Sequence, residues 1–287
     1  MDLSAARTSA APRISVLVAG QEGEALEPML RAADRRAKEL GAGLMVSWFG
    51  PRSPQMLLDC VRATTERLDA PLEVHGSWRS FRVSLEAHLR EDTPRLIVVS
   101  GDPHRGWRPL RPSTSDLVIR QAKIPVLVAR PSAGTGRILV ATDLLDEHFP
   151  AVRAAAAEAH RSGAQVTAVH CLRLKPVFPG PGHGNEWSSE PPIGPSDTER
   201  ERADRWLYDA LRLGELSAEP LIIEGDPLAR VSSLTFELSA DLLVIGARPK
   251  SRWQRLVFGS IAEPLARRVA CPVLVVPLST QVRRAFD

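Results

Sequence analysis

The sequence predicts an α/β protein of two tandem doubly wound domains, each with a five-stranded, mainly parallel sheet and helices on both faces. Short, continuous apolar runs alternate with helical patterns, which is typical of a parallel sheet covered on both faces. The same order of elements occurs twice, so that each half reads β-α-β-α-β-α-β-α-β. A length of 287 residues also suits two domains of ordinary size.

The first repeat begins with an apolar strand that ends in a turn. Its predicted strands are 16–21, 44–48, 72–74, 96–99 and 124–128. Its predicted helices include 24–40, 55–68 and 113–121. The small residues Gly41 and Ala42 end the first of these helices, as glycine commonly does.

The second repeat follows the same order. Its predicted strands are 138–143, 166–170, 221–223, 242–245 and 271–276. Its predicted helices include 149–161, 198–213 and 260–269. Gly163 is the predicted stop of the first helix. Asp226 and Pro227 are predicted to start a further helix, with Asp226 as N-cap and Pro227 in the first position.

These repeats define the predicted domains, 1–131 and 137–287. The residues between them, Pro131 to Gly136, are predicted to form a short flexible joint because they are rich in glycine and small polar residues. One segment, 175–196, breaks the symmetry and is rich in proline and glycine. It is too long for an ordinary connection and is interpreted either as a lid over a site or as a disordered insertion.

Composition and charge argue against several classes of partner. The net charge is only +3, and arginines are interspersed with acids. This pattern is that of solvated helix faces rather than of a nucleic-acid patch. The first twelve residues lack the apolar core of a signal peptide, and no stretch is long and apolar enough to span a bilayer. We therefore expect a cytoplasmic protein without membrane or nucleic-acid partners.

The cysteines and histidines suggest no metal site. Cys60, Cys171 and Cys271 lie far apart and show none of the spacings of metal ligands. Three scattered thiols fit a reducing compartment. Cys171 and Cys271 lie in apolar runs and are interpreted as small core residues. His170, at the end of an apolar strand, is interpreted as a packed histidine.

The strongest local signal is a glycine pattern near the end of the chain. A strand runs into Gly246, a loop follows, and Gly259 and Ser260 then open a helix before the last strand. Gly246 is expected to allow a positive φ and the close approach of a ligand. Gly259 and Ser260 lie where a helix N-terminus offers backbone N–H groups to an anion. This context predicts a phosphate-holding loop.

These residues resemble the universal stress protein family in its tandem form, over about residues 13 to 278. The family motif is Gly, two residues, Gly, nine residues, Gly and then Ser or Thr. Gly246, Gly259 and Ser260 match it at the right spacing, but Pro249 replaces the second glycine. Asp143 matches the aspartate that ends the family's first strand. The resemblance implies an adenine-nucleotide alpha-hydrolase-like fold.

The resemblance also implies an ATP site, with Mg²⁺, at the carboxyl ends of the strands of the second repeat. Ala141, Thr142 and Asp143 would border the adenosine, with Asp143 accepting from ribose hydroxyls, and Val169 would line the adenine. The phosphates would be held by Gly246, Arg248, Gly259, Ser260 and Ile261. Pro249 has no N–H to offer to phosphate. Lys250, Arg252 and Arg255 are interpreted either as cations that offset this loss or as ordinary loop residues.

The first repeat departs further from the motif. Gln21 replaces the aspartate, and Pro112-Ser113 stands where Gly259-Ser260 stands in the second repeat. We therefore expect the first repeat to bind no nucleotide and to serve structure, pairing or regulation. The resemblance implies an intrachain pseudo-dimer of the repeats. A homodimer of whole chains stays open.

The family resemblance and the altered motif leave three candidate functions. The first is a nucleotide-binding module of the stress response, without catalysis and with a protein partner as a further expectation. The second is a nucleotide-free interaction scaffold, in which Pro249 has ended binding and the final strands serve pairing. The third is a slow ATPase, which is less favoured because no base or water-positioning residue is evident, although Asp143 or Asp226 could be argued for that role. Neither a Gly-x-Ser-x-Gly elbow nor a P-loop is present.

Overall fold

A computed structural model of the chain describes residues 15–21, 26–50, 53–64, 72–91, 94–101, 114–174, 193–247 and 261–278. Contacts divide the chain into two compact units, Met1–Ser100 and Gly101–Asp287. The second unit therefore contains the last helix and strand of the first repeat together with the whole second repeat. The domain boundaries at 131 and 137 describe the sequence repeats and stay a prediction.

Strands and helices alternate through both repeats, as predicted. The strands are β1 (Ser15–Gln21), β2 (Gly43–Phe49), β3 (Leu72–His75), β4 (Leu96–Ser100), β5 (Val126–Ala129), β6 (Arg137–Ala141), β7 (Gln165–Leu172), β8 (Glu219–Glu224), β9 (Leu242–Ala247) and β10 (Val273–Pro277). The helices are α1 (Leu26–Glu39), α2 (Pro54–Thr64), α3 (Trp78–Glu91), α4 (Thr114–Gln121), α5 (Pro150–Ser162), α6 (Asp197–Leu213), α7 (Pro227–Glu237) and α8 (Ala262–Arg268).

The first unit contains a parallel sheet in the order β3-β2-β1-β4. The chain steps outward from β1 through β2 to β3 and then returns to the other side of β1. With right-handed crossovers, this reversal places helices on both faces of the sheet. Leu17, Val18 and Val98 are fully buried along β1 and β4, which confirms that apolar strands form the core.

The second unit contains a sheet in the order β5-β10-β9-β6-β7-β8. Its strands are parallel except for β5, which pairs antiparallel with β10. Leu127 lies opposite Leu274 at the centre of that antiparallel ladder. Strand β4 and strands β9 and β10 are almost continuously buried, as expected for strands covered on both faces. The predicted doubly wound, mainly parallel fold is confirmed.

Capping residues fix several helix ends, and two of these ends, at Gly163 and at Asp226, lie where the sequence predicts them. Gly163 ends α5 in the left-handed conformation with φ 67°. Asp226 is the N-cap of α7, where its Oδ2 accepts from the N–H of Ala229 at 2.9 Å, and Pro227 takes the first helical position. Ser196 and Glu199 form a capping box at the start of α6, since each side chain accepts from the backbone N–H of the other.

The joint between the repeats forms several hydrogen bonds with one aspartate. Asp241, just before β9, accepts hydrogen bonds through both carboxylate oxygens from the segment 132–137. Its donors are Ser132 Oγ at 2.7 Å, the N–H groups of Gly134 and Gly136 at 2.5 Å each, and Thr135 Oγ1 and the N–H of Arg137 at 3.3 Å each. One carboxylate thus binds the backbone of the joint at several points, and the flexibility of the joint stays a prediction.

Candidate functional site

The carboxyl ends of three neighbouring strands meet at one edge of the second unit. Ala141, the last residue of β6, lies opposite Val169 on β7 and opposite Ile245 on β9. From β6 the chain winds to β7 and β8 in one direction, and it then returns to β9 and β10 on the other side. The strand order therefore reverses between β6 and β9. Doubly wound sheets bind ligands in the crevice at such a reversal.

The loop from β6 to α5 begins with two tight turns. The N–H of Thr142 donates to the carbonyl oxygen of Val169 at 3.1 Å and so extends the β6–β7 pairing. Thr142 Oγ1 accepts from the N–H of Leu144 at 3.1 Å, and Asp143 Oδ1 accepts from the N–H of Leu145 at 3.0 Å. Such side-chain turns fix the backbone locally. The carboxylate of Asp143 is held at the exposed surface of this edge.

The same loop carries backbone strain. Leu144 has φ 59° and Phe149 has φ 46°, although neither residue is glycine. Both side chains are buried, which holds these conformations in place. Left-handed conformations of bulky residues are costly and cluster where a site has to be pre-organised. The strain thus falls on the loop that carries Thr142 and Asp143.

His170 supports this loop from β7. Its Nδ1–H donates to the carbonyl oxygen of Thr142 at 2.9 Å. Burial lowers the pKa of His170 below its ordinary value of 6.5, although this hydrogen bond and the charge of Asp143 act in the opposite direction. The imidazole is therefore neutral at neutral pH, with its proton on the nitrogen that faces Thr142. This agrees with the interpretation of His170 as a packed histidine.

The predicted adenosine residues differ in how they face this edge. Ala141 is buried, and Val169 has only 1% of its surface exposed. Thr142 is half-buried and Asp143 is exposed. The strand ends bring these four residues together, but the side chain of Val169 lies within the core. Of the four, Thr142 and Asp143 offer polar groups at the surface.

Gly246 lies elsewhere than the sequence predicts. It belongs to β9, opposite Val276, rather than to a turn after that strand. Its φ is not positive, so the expectation of a left-handed turn was wrong. The glycine instead makes room for a neighbouring side chain, because a Cβ atom at this position would lie 2.5 Å from Leu278 Cδ2. Leu278 follows β10, and its N–H donates to the carbonyl oxygen of Ala247 at 2.8 Å.

Only part of the predicted phosphate loop falls within the described residues. Ile261 precedes α8 with helical φ and ψ, and its carbonyl oxygen accepts from the N–H of Leu265 at 2.9 Å. Arg248, Gly259 and Ser260 lie outside the described residues, as does Pro249. Most of the insertion predicted at 175–196 also lies outside them. The roles of these residues stay predictions.

Cys171 is a residue at this edge that the sequence did not reveal. It was expected in the core, but it is only half-buried, whereas Cys271 is buried. The Sγ atom of Cys171 donates to the carbonyl oxygen of Gly225 at 3.6 Å. Burial raises the pKa of the Cys171 thiol. Because side chains alternate between the two faces along β7, Cys171 lies on the same face as Val169. It is two residues nearer the carboxyl end of the strand.

In the first repeat, large side chains lie beside two glycines at the ends of strands β1 and β4. A Cβ atom at Gly20, the counterpart of Thr142, would lie 2.6 Å from the ring of Trp48 and 2.9 Å from Met29. Trp48 is fully buried. A Cβ atom at Gly101, which follows β4, would lie 2.6 Å from Arg130 Cζ. Large side chains thus occupy the space beside both glycines.

Comparison with known proteins identifies the family. The model of the universal stress protein family matches residues 134–277, half of the chain. The chain belongs to the universal stress protein family. A universal stress protein of Thermus aquaticus is 30% identical over 141 residues, which are 48% of this chain and 96% of that protein. A stress response protein of Bacillus subtilis is 40% identical over 55 residues, but the match covers 19% of this chain and only 33% of that protein.

Solved structures share the fold over nearly the whole chain. A functionally unknown protein from Pseudomonas aeruginosa has a TM-score of 0.64 at 18% identity and covers 93% of each chain. A universal stress protein from Archaeoglobus fulgidus has a TM-score of 0.59 at 15% identity, over 92% of this chain and 97% of that one. Likeness at these identities shows the fold alone. A universal stress protein solved with cAMP covers half of this chain with a TM-score of 0.38, too low to bear on its ligand.

The described residues contain neither a metal-binding cluster nor a membrane-spanning helix. Among those residues, no group of three or more His, Cys, Asp or Glu side chains is arranged to hold a metal ion. None of the helices that the structure describes has the length and hydropathy needed to cross a membrane.

Proposed function

We propose that the second repeat, residues 137–287, binds ATP with Mg²⁺ and acts as a non-catalytic module of the stress response in the cytoplasm. The adenosine is bound beside Ala141, Thr142, Asp143 and Val169, and Asp143 accepts hydrogen bonds from the ribose. The phosphates lie toward Gly246, Arg248, Gly259, Ser260 and Ile261. The nucleotide state is read by a protein partner.

One observation carries this proposal. The sheet reverses its strand order between β6 and β9, and the exposed carboxylate of Asp143 lies at the end of β6. The strained, hydrogen-bonded loop after β6 adds support, because it presents that carboxylate in a fixed position. Family membership supports the stress-response role.

A second candidate function is a nucleotide-free interaction scaffold, and one observation favours it. Strands β5 and β10, the last strands of the two repeats, pair with each other in an antiparallel ladder. This pairing needs no nucleotide, and Pro249 takes the place of a motif glycine. A slow ATPase is a third candidate function, and it differs from the other two because it would hydrolyse ATP in repeated turnovers.

Calorimetric titration of ATP and Mg²⁺ into Asp143→Ala tests the proposal. We expect wild-type protein to bind ATP, and the variant to bind it about ten- to a hundredfold more weakly, because a hydrogen bond to a charged group contributes about 1.5–3 kcal/mol. Asp143→Asn should fall between the two, since its amide oxygen can still accept from the N–H of Leu145. Asp209→Asn, in an exposed ion pair near the end of α6, is the matched control and should bind like wild type.

Each alternative function predicts a different experimental result. No heat with wild-type protein at millimolar ATP, and no rise of its melting temperature, would favour the scaffold. Equal affinity of wild type and Asp143→Ala would remove Asp143 from the site. Gly259→Val should also abolish binding. Phosphate release that depends on Mg²⁺ and continues beyond one turnover would establish an ATPase instead.

A further inference from the structure

Two ion pairs connect the last helices of the two repeats. Arg120 on α4 donates to both carboxylate oxygens of Glu263 on α8, at 3.0 and 2.7 Å. Arg267 on α8 lies against Asp116 on α4, with contacts of 2.8 and 2.6 Å. Both acids are largely buried, with 4% of the Asp116 side chain and 11% of the Glu263 side chain exposed.

The two pairs are reciprocal. Asp116 and Arg120 are one turn apart on α4, as Glu263 and Arg267 are on α8, and each acid contacts the arginine of the other helix. The same sequence offset relates Leu127 to Leu274, the central pair of the β5–β10 ladder. The two ion pairs therefore follow the same approximate two-fold symmetry that relates β5 to β10. The hydrogen bond and charge of Glu263 raise the pKa of Arg120, so this guanidinium keeps its charge over the physiological range.

Arg130 makes a contact that has no counterpart under the two-fold relation of the β5–β10 ladder. It follows β5 and is buried beside Gly101. Its guanidinium donates to the carbonyl oxygens of Ala266, in the last turn of α8, and of Cys271, just before β10. A cation at the carboxyl end of a helix is favoured by the helix dipole. Residues of the first repeat thus contact α8 along its side and at its end.

Contacts with other elements hold α8 in place: it packs against α7 and β9 of its own repeat, and residues of the first repeat bind its charged side chains and its last turn. The helix spans only seven residues, and helices this short are marginal on their own. Its N-cap residue, Ile261, makes no side-chain capping bond. Two of its charged side chains, Glu263 and Arg267, are engaged by α4, and its final turn is engaged by Arg130. Since Ile261 follows the predicted phosphate loop directly, the position of α8 fixes one side of the proposed nucleotide site.

We infer that α4 and β5 of the first repeat position α8, and thereby set the nucleotide affinity of the second repeat. Arg120, Asp116 and Arg130 act as positioning residues without touching the ligand. The first repeat thus serves as a fixed support for the site of the second. This inference rests on the proposed function, because it concerns the affinity of that same site.

Charge reversal of one ion pair tests the inference on the full chain. Arg120→Glu should place two carboxylates together, displace α8 and weaken ATP binding by about fivefold to a hundredfold, in the range of typical coupling between sites. Glu263→Arg should do the same. The double variant restores an ion pair with reversed polarity and should recover most of the affinity. Arg212→Glu, at a solvent-exposed pair on α6, should leave the affinity unchanged.

The readouts are the Kd for ATP and the hydrogen exchange of the α8 amides without ligand. Faster exchange in α8 and weaker binding in the single variants, with recovery of both in the double variant, would support the inference. Wild-type affinity in both single variants despite a lowered melting temperature would overturn it and leave the proposed function intact, because the pairs would then be structural only. Absence of ATP binding by wild-type protein would overturn both.

Discussion

At the residue scale, Gly20 shows why a position can require glycine without facing a ligand. It lies in β1, and a Cβ atom there would be 2.6 Å from Cζ3 and 2.9 Å from Cε3 of Trp48. The indole is fully buried and cannot move aside without disturbing the core. In the second repeat the corresponding residue is Thr142, whose neighbour on β7 is His170 rather than tryptophan.

Gly20→Ala should therefore destabilise the protein by about 1–3 kcal/mol, the usual cost of overpacking a core. Urea unfolding followed by circular dichroism measures this free energy. Gly76→Ala is the matched control, because no heavy atom lies within 4 Å of a Cβ atom at Gly76. Its free energy of unfolding should change by no more than about 0.5 kcal/mol. Equal stability of both variants would show that the Trp48 ring relaxes at little cost.

At the element scale, the joint between the repeats depends on Asp241. Its carboxylate gathers donors from Ser132 to Arg137, and Gly134 and Gly136 take positive φ to direct their N–H groups toward it. The N–H of Asp241 in turn donates to the carbonyl oxygen of Arg137 at 2.8 Å. Burial alone would raise the pKa of Asp241, but the hydrogen bonds from this segment lower it from 3.8 to about 2.

Asp241→Asn should lose a stabilisation that depends on pH. Because the folded-state pKa lies below the unfolded value, the carboxylate stabilises the fold in full above about pH 4, and this contribution disappears as pH falls through about 2. Near neutral pH we expect the variant to be about 1 kcal/mol less stable, a modest value because the site is partly exposed.

The measurement is urea unfolding of both proteins between about pH 6 and about pH 2. The difference in unfolding free energy should be constant down to about pH 4 and should shrink below it. Asp204→Asn, at an exposed position of α6, controls for the loss of one surface charge. A difference that stays constant to the lowest pH would mean that the hydrogen bonds to Asp241 do not discriminate between charged and neutral forms.

The elements that the sequence predicted correctly are those with local signals. Apolar runs bounded by glycine or by an N-cap, such as the start of α7 at Asp226, specify strands and helices from neighbouring residues. Gly246 and Asp241 were not predictable in this way. The partner of Gly246 is Leu278, in a later segment, and the partners of Asp241 lie about a hundred residues earlier in the chain. Tertiary packing assigns their roles.

At the scale of the whole molecule, the two repeats share one order of elements and differ at their strand ends. In the second repeat, Thr142 and Asp143 offer polar groups after β6. In the first repeat, Gly20 is covered by Trp48, and Gly101 is covered by the buried guanidinium of Arg130. The Arg130 guanidinium fills the space beside Gly101 and donates to carbonyl oxygens of the protein.

This asymmetry predicts one ATP per chain. Native mass spectrometry should show one bound nucleotide on wild-type protein even with excess ATP and Mg²⁺, because the side chains over Gly20 and Gly101 cover these positions of the first repeat. At an ATP concentration near the wild-type Kd, the bound fraction of Asp143→Ala should be much smaller. Two nucleotides on wild type, with one retained by Asp143→Ala, would contradict the prediction. The first repeat would then bind nucleotide, which would require Trp48 or Arg130 to move. A Trp48→Ala variant would then bind the second nucleotide more tightly than wild type if its indole were the obstacle.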